Sequence, residues 1–526
     1  MKFEYPKTVS LFSLVLLFSV ASASAIEEPV QLISGQVSGV DLDSGVQVFR
    51  GIPFAAPPVG DLRWKPPQAP VPWSGVFAAD AYGPVCMQQG STALMSEDCL
   101  YLNLWTQAES ATEKRPVMVW IHGGGWTSGA SVNADSFSTF VTGTYEGEAF
   151  AENGVVLVSV NYRISGFGFM AHPALSAESE RGVSGNYGIL DHIAALEWIR
   201  DNIAGFGGAP DNVTIFGESA GGASIYSLLA TPLAKGLFHK AISESTWVTP
   251  TNMTHLTRNN GLSDSAESRG ERAVSAKLTE LGETSDSDVL AKMRAMSAQD
   301  ILALQLQVSL IEDGWAYPKS AADIFAEGSH NHVPLLAGTN DGEGILFIRP
   351  GSAPGSVAEQ RQAREAEFGE FEGNLLDHYV AKTDADVLTV EIDYNTDSWF
   401  ARPTREIVQA MAKTSAESFM YVFTRNLQDP SQRSPHAMEL RYVFNELPDS
   451  ASDIDKNIAQ LMNDYWTQFA ATGNPNRTGL PPWPSYNLET QQHQLIGAEV
   501  TQGSFLLKEQ LDELDRYISN RYNSAK

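Results

Sequence analysis

Continuous apolar runs in the first half of the chain alternate with stretches whose apolar residues recur every three or four positions. Val117-Met118-Val119-Trp120-Ile121 and Gly154–Val160 predict strands covered on both faces, as in a mostly parallel sheet. Between them and the next strand-like run, Leu190–Ile203 carries helical spacing, and Gly205 and Gly207-Gly208 end it. Val213-Thr214-Ile215-Phe216 predicts a further strand and Gly222–Ala230 a helix. Strand, helix and strand with short connections make a βαβ unit, and so an α/β fold with a large parallel sheet flanked by helices. Later strands are expected at Val333–Gly338 and Phe419–Phe423. Thr254–Gln307 is polar and helix-forming, and predicts helices inserted above the sheet. Gly351–Gln362, rich in Gly, Pro, Ser and Ala, predicts an exposed loop. No repeat period stands out and no linker divides the chain, so residues 26–526 are expected to form one domain.

The first 25 residues do not fit this pattern. Lys2 and Lys7 precede an apolar stretch from Val9 to Ala21, and Ala23-Ser24-Ala25 supplies a small-residue cleavage site. This predicts a signal peptide cut after Ala25, hence a secreted or periplasmic protein with no stable membrane insertion afterwards. Cys86 and Cys99 are the only cysteines. Export favours one disulfide between them over two buried thiols. Of 526 residues 43% are hydrophobic and 19% charged, an ordinary globular composition. The net charge of −28 argues against nucleic acid or an anionic membrane as partner.

The chemistry centres on Gly217-Glu218-Ser219-Ala220-Gly221. A G-x-S-x-G turn between a strand and a helix is a nucleophile elbow, which holds a serine hydroxyl clear of the sheet. A serine needs a histidine to take its proton and an acid to orient that histidine, in the chain order serine, acid, histidine. The acid belongs in the loop Thr339–Gly344, where Glu343 and Asp341 both qualify, with Asp313 more distant. His378, in a helix-like stretch, His436, and His493, in a polar glutamine-rich turn, follow. His436 lies in a loop position after a strand, where Pro435 favours an extended backbone. His122-Gly123-Gly124-Gly125-Trp126 follows the Val117–Ile121 strand. Its glycines let N–H groups reach a developing oxyanion, so Gly124, Gly125 and Ala220 are the expected donors. His122 is then structural.

Taken together these residues resemble the type-B carboxylesterase family, which includes cholinesterases and the non-enzymatic neuroligins. The resemblance runs from about Gly35 to Asn487. It rests on Arg50–Ala55, Leu62-Arg63-Trp64, Ser96–Asn103, Asn161-Tyr162-Arg163, Gly185–Gly188, Phe206–Gly208, Gly217–Gly222, Gly473–Asn476 and Trp483–Tyr486. It implies the α/β-hydrolase fold. By similarity Cys86 pairs with Cys99, and Glu97 forms a buried ion pair with Arg50. The family's G-x-N-x-D-E-G loop selects Glu343, with Gly342 standing where the family has aspartate. Its histidine pattern selects His436, with Glu439 following. Ser245 resembles a serine that supports the acid, and Glu218 is expected beside the nucleophile.

The resemblance implies a serine hydrolase of carboxylic esters, with short-to-medium acyl or aryl esters favoured, a small-molecule substrate, and neither metal nor organic cofactor. The disulfide loop Met87–Asp98 contains no aromatic residue. The tryptophan that binds quaternary ammonium in cholinesterases is thus missing, which argues against choline esters. Ser219 argues against a neuroligin-like binding protein. A lipase for long acyl chains is the rival enzyme reading.

Overall fold

The computed structural model describes residue 1 and residues 26–525, apart from 92, 133–142, 249–252, 260–262, 284–287, 372 and 415–416. Residues 2–25 of the expected leader lie outside the described residues. An eleven-stranded sheet organises the rest. From one edge its strands are Val500–Ser504, Gln492–Ile496, Ser418–Phe423, Leu335–Asn340, Lys240–Glu244, Gly208–Glu218, Arg115–Ile121, Val156–Val160, Tyr101–Thr106, Gln47–Pro53 and Val40–Asp41. Pairing is parallel from Gln492–Ile496 to Val156–Val160 and antiparallel towards both edges.

The continuous apolar runs have a direct cause. Successive side chains of a strand point to opposite faces, and both faces are covered here. Val117, Val119 and Ile121 enter one core with residues of the helices Tyr187–Asn202 and Ala220–Ala230. Met118 and Trp120 enter the other, with Ile458, Met462, Trp466 and Phe469 of the helix Asp453–Thr472. Trp120 is fully buried there, its ring 5.0 Å from those of Tyr145, Phe216 and Phe444. A side chain of this size contributes on the order of 3 kcal/mol through burial.

Two expectations need correction. Gly351–Gln362 is not all loop, because a helix spans Val357–Phe368. Its start is a local capping signal that the surrounding Gly and Pro masked: Ser356 Oγ accepts from the Glu359 N–H, and Glu359 Oε2 accepts from the Gly355 N–H at 2.7 Å. His493, read as a turn residue, is buried in the strand Gln492–Ile496. The stretch after Thr254 does form helices, at Ala266–Glu280, Val289–Ala295 and Ala298–Leu302. Among the described residues, no helix is long and apolar enough to cross a membrane.

Candidate active site

The strand Gly208–Glu218 ends at the elbow, and the helix Ala220–Ala230 begins directly after it. Ser219 takes φ 57° and ψ −119°, a strained conformation for a side-chain-bearing residue. Two backbone bonds hold it there. Its N–H donates to Glu244 O at 3.0 Å, and its own carbonyl accepts from Ala223 at 2.8 Å. The turn can be this tight only because Gly221 lacks a side chain. A Cβ at that position would stand 2.0 Å from the carbonyl oxygen of Ile121.

The loop after Ile121 runs alongside the elbow. Gly124 has φ +101°, and a Cβ there would meet Ser128 O at 2.2 Å. Trp126 Nε1 donates to Ser224 Oγ at 2.9 Å, which ties this loop to the elbow helix. Gln88 of the disulfide loop pairs with Gly129 in both directions, at 2.9 and 2.8 Å. Gly124, Gly125 and Ser219 therefore border one cavity, and Ala220 is the first residue of its helix, where an N–H has no acceptor within the helix itself. His122 is buried and stacks on Tyr162 at 4.4 Å. Burial lowers its pKa to about 4, so it is neutral at ordinary pH.

His436 Nδ1 lies 2.5 Å from Glu343 Oε2. A carboxylate oxygen only accepts, so the proton of this bond sits on Nδ1. The other oxygen, Glu343 Oε1, accepts from Ser245 Oγ at 2.6 Å, Thr339 Oγ1 at 2.9 Å and the Asn340 N–H at 2.7 Å. The acid and histidine loops are stitched together. Gly342 N–H donates to Ser434 O at 3.0 Å, Ser434 N–H to Asp341 Oδ1 at 2.7 Å, and Asn340 Nδ2 to Pro435 O at 2.9 Å and to Glu439. Gly342 fits this seam: a Cβ there would stand 2.8 Å from Arg433 Cβ.

The remaining candidates separate by geometry. Asp341 caps the histidine loop, and burial pushes its carboxyl up to about 6. Asp313 accepts from the backbone of Trp315 and Tyr317 and from Asn186. His378 sits at the end of a short helix beside Tyr379.

Further buried acids cluster with Glu343. Glu218 Oε1 is 3.1 Å from His436 Nε2, and Glu218, Glu244 and Glu439 are all buried. Desolvation raises each of their pKa values, that of Glu244 to about 8. Glu218 and Glu439 are pushed further by neighbouring carboxylates, Glu343 among them.

The cavity above Ser219 measures about 660 Å³. Phe347 and Phe400 bring their rings 5.0 and 4.7 Å from that of His436. Sequence reasoning missed both. Phe400 comes from a π-helical stretch, Thr396–Ala401, which no local pattern announced. Trp247, Ser128 and the disulfide loop complete the walls. The described residues between 253 and 307 do not line it. Their helices act at one remove, for Leu302 O accepts from Gln89 Nε2 at 2.8 Å.

Residues 26–514 match the model of the carboxylesterase family. The chain belongs to that family. It is 36% identical over 476 residues to fumonisin B1 esterase of Sphingopyxis macrogoltabida, covering 86% of this chain and 83% of that one. It is also 36% identical over 493 residues to para-nitrobenzyl esterase of Bacillus subtilis (strain 168), covering 89% and 94%. A solved PNB esterase superposes with a TM-score of 0.77 at 34% identity, over 92% of this chain and 99% of that one. This carboxylesterase is a carboxylic-ester hydrolase with the α/β-hydrolase fold.

One expected contact of this carboxylesterase is wrong. Glu97 does not pair with Arg50. It is held by Arg63, whose Nε and Nη2 reach Oε2 and Oε1 at 2.7 and 2.5 Å. Arg63 Nη1 also donates to the carbonyls of Arg294 and Met296 at 2.8 and 2.9 Å. This fork satisfies both carboxylate oxygens and a helix end at once. Arg50 instead lies over the Tyr82 ring at 5.1 Å. Cys86 and Cys99 are disulfide-bonded.

Proposed function

We propose that Ser219 is the nucleophile of this ester hydrolase, His436 its general base and acid, and Glu343 the residue that orients His436. The observation that carries this reading is the His436–Glu343 contact of 2.5 Å on the same cavity as a serine at an elbow. Ser219 Oγ attacks the ester carbonyl as His436 Nε2 takes its proton. Glu343 holds the tautomer that leaves Nε2 free and stabilises the cation that forms. The N–H groups of Gly124, Gly125 and Ala220 receive the oxyanion. His436 returns the proton to the leaving alcohol. Water then attacks the acyl-enzyme by the same route and frees the acid. Ser245 acts by holding Glu343 Oε1, and Glu218 borders His436 Nε2.

Aromatic and aliphatic walls support a preference for short-to-medium acyl or aryl esters. Export through the leader is part of the same proposal, supported by the Ala23-Ser24-Ala25 pattern and the disulfide. An organophosphonate titration tests the catalytic assignment. One equivalent should be incorporated at Ser219 with parallel loss of p-nitrophenyl butyrate hydrolysis, and Ser219→Ala should take up none. Labelling elsewhere, or full activity in Ser219→Ala, would overturn it. A chain-length series of nitrophenyl esters tests the acyl preference, which a maximum at long chains would refute.

A further inference from the structure

The disulfide loop and the glycine loop beside Ser219 meet at one side chain. Gln88 follows shortly after Cys86, is buried, and borders the cavity. Its amide is fully engaged. Nε2 donates to Cys86 O at 3.1 Å and to Gly129 O at 2.9 Å, while Oε1 accepts from the Gly129 N–H at 2.8 Å. A flipped amide would set its NH₂ against an N–H and its oxygen against two carbonyls, so the bonds fix its orientation. The Cys86–Cys99 disulfide closes the loop that carries it. The glycine loop has little stiffness of its own. Gly124, Gly125 and Gly129 have φ of +101°, +63° and +106°, a region that glycine enters freely and at a cost in chain entropy. The Thr127 and Ser128 N–H groups both donate to Gly124 O at 3.0 Å, and a Cβ on Gly124 would stand 2.2 Å from Ser128 O. Residues 124–128 are therefore one tight turn, and Gln88 grips the residue that follows it. Among the described residues, neither the Gly124 nor the Gly125 N–H has a hydrogen-bond partner.

From this geometry we infer that Gln88 is a positioning residue for the reaction: by pairing with both backbone groups of Gly129 it sets where the Gly124 and Gly125 N–H groups stand relative to Ser219. The inference rests on the catalytic assignment above and adds a residue to it. Gln88 makes its bonds to the loop and acts through it. Its effect belongs to the transition state, because the two N–H groups take up charge only once the carbonyl oxygen has become an oxyanion. The neutral ester in the ground state is held mainly by the aromatic and aliphatic walls. Without the Gln88 amide, the far end of the turn is free of the disulfide loop, while Trp126 Nε1 still ties its middle to Ser224. A shift of about 1 Å in a reacting arrangement is enough to cost about 10²-fold in rate.

Two substitutions test this. Gln88→Met keeps the length of the side chain and removes the amide. With p-nitrophenyl butyrate its kcat should fall about 10²-fold, with KM within about threefold of the parent. Affinity for 1,1,1-trifluoro-2-heptanone, which adds to the serine as an oxyanion, should fall with kcat. Affinity for 2-heptanone, which stays a ketone, should hold. Gln88→Glu supplies a second readout. As a neutral acid it can donate to Gly129 O and accept from the Gly129 N–H, as the amide does. As a carboxylate it only accepts, and turns its charge on two carbonyls. Its kcat relative to the parent should therefore rise as pH falls from about 8 to 6, since burial lifts a carboxyl into that range. Dividing by the parent at each pH removes the titration of the ionisable groups that line the cavity in both proteins, His122, Tyr145, Glu218 and His436. A folded Gln88→Met protein with parent-like kcat, an equal loss of affinity for both ketones, or a Gln88→Glu ratio that does not rise on acidification would overturn the inference and leave the catalytic assignment intact. A parent protein that takes no phosphonate label on Ser219 would remove the assignment and the inference together.

Discussion

Replacing Glu343 by Gln changes neither the size nor the shape of the side chain, yet the surroundings of Glu343 dictate how the amide must lie. Oε1 receives Ser245 Oγ, Thr339 Oγ1 and the Asn340 N–H. The two hydroxyls can rotate and accept instead. The backbone N–H, 2.7 Å away, cannot. An NH₂ in that position would leave two buried donors facing each other, at a cost of about 1–3 kcal/mol. The amide oxygen therefore takes the Oε1 site, and the NH₂ faces His436 Nδ1, now 2.5 Å from Oε2. Nδ1 must then accept, and the imidazole proton moves to Nε2, the atom that should receive the proton of Ser219. An aspartate-to-asparagine change that imposes this wrong tautomer lowers kcat about 10⁴-fold in a serine protease, or about 5.5 kcal/mol of barrier. The same order is expected here. Steady-state hydrolysis of p-nitrophenyl butyrate should show the loss in kcat with KM little changed, and phosphonate labelling of Ser219 should slow in step. Melting temperature should stay within a few degrees of the parent. A folded Glu343→Gln protein keeping more than a tenth of kcat would refute the tautomer argument.

Two further outcomes follow from the packing. Arg63→Met leaves Glu97 and two carbonyls without their donor and should cost about 3–5 kcal/mol, whereas Arg50→Met loses a ring contact and should cost about 1 kcal/mol; calorimetry that ranks them the other way would contradict the Arg63–Glu97 pairing. Glu244 is raised from 4.5 to about 8 by burial, so the folded chain binds its proton more tightly than the unfolded one, and stability falls as pH rises from about 4.5 to 8. In Glu244→Gln the amide oxygen can still accept from Trp466 Nε1, 2.9 Å from Oε1 in the parent. Its melting temperature relative to the parent should therefore climb across that window, and parallel pH curves would show that Glu244 does not titrate there.

How much was legible in the sequence depends on how local each signal is. The elbow is written in consecutive residues, because a turn that brings Gly221 against Ile121 O has almost no other solution. The buried strands are legible for a similar reason: two covered faces demand unbroken apolar runs. The choice of Glu343 and His436 was less local. Spacing left Asp341 beside Glu343 and three histidines in play, and the family resemblance made the selection; the structure brings Glu343 and His436 to 2.5 Å from each other. The mistaken Arg50–Glu97 pair has the same origin in reverse. Arg63 lies only 13 residues from Arg50 in sequence, and nothing in either segment says which guanidinium turns towards Glu97.

The sequence by itself determined the α/β architecture, the strained serine, the glycine loop beside it and the disulfide partners. Each is set by short-range rules of backbone sterics, periodicity or covalent reach. The tertiary structure decided what surrounds the reaction. It put the Phe347 and Phe400 rings against that of His436, brought Glu218 and Glu439 within electrostatic reach of Glu343, and kept lysine and arginine from the described cavity wall. Such groupings join residues up to hundreds of positions apart, and only packing in three dimensions gives them a common dielectric and a common field.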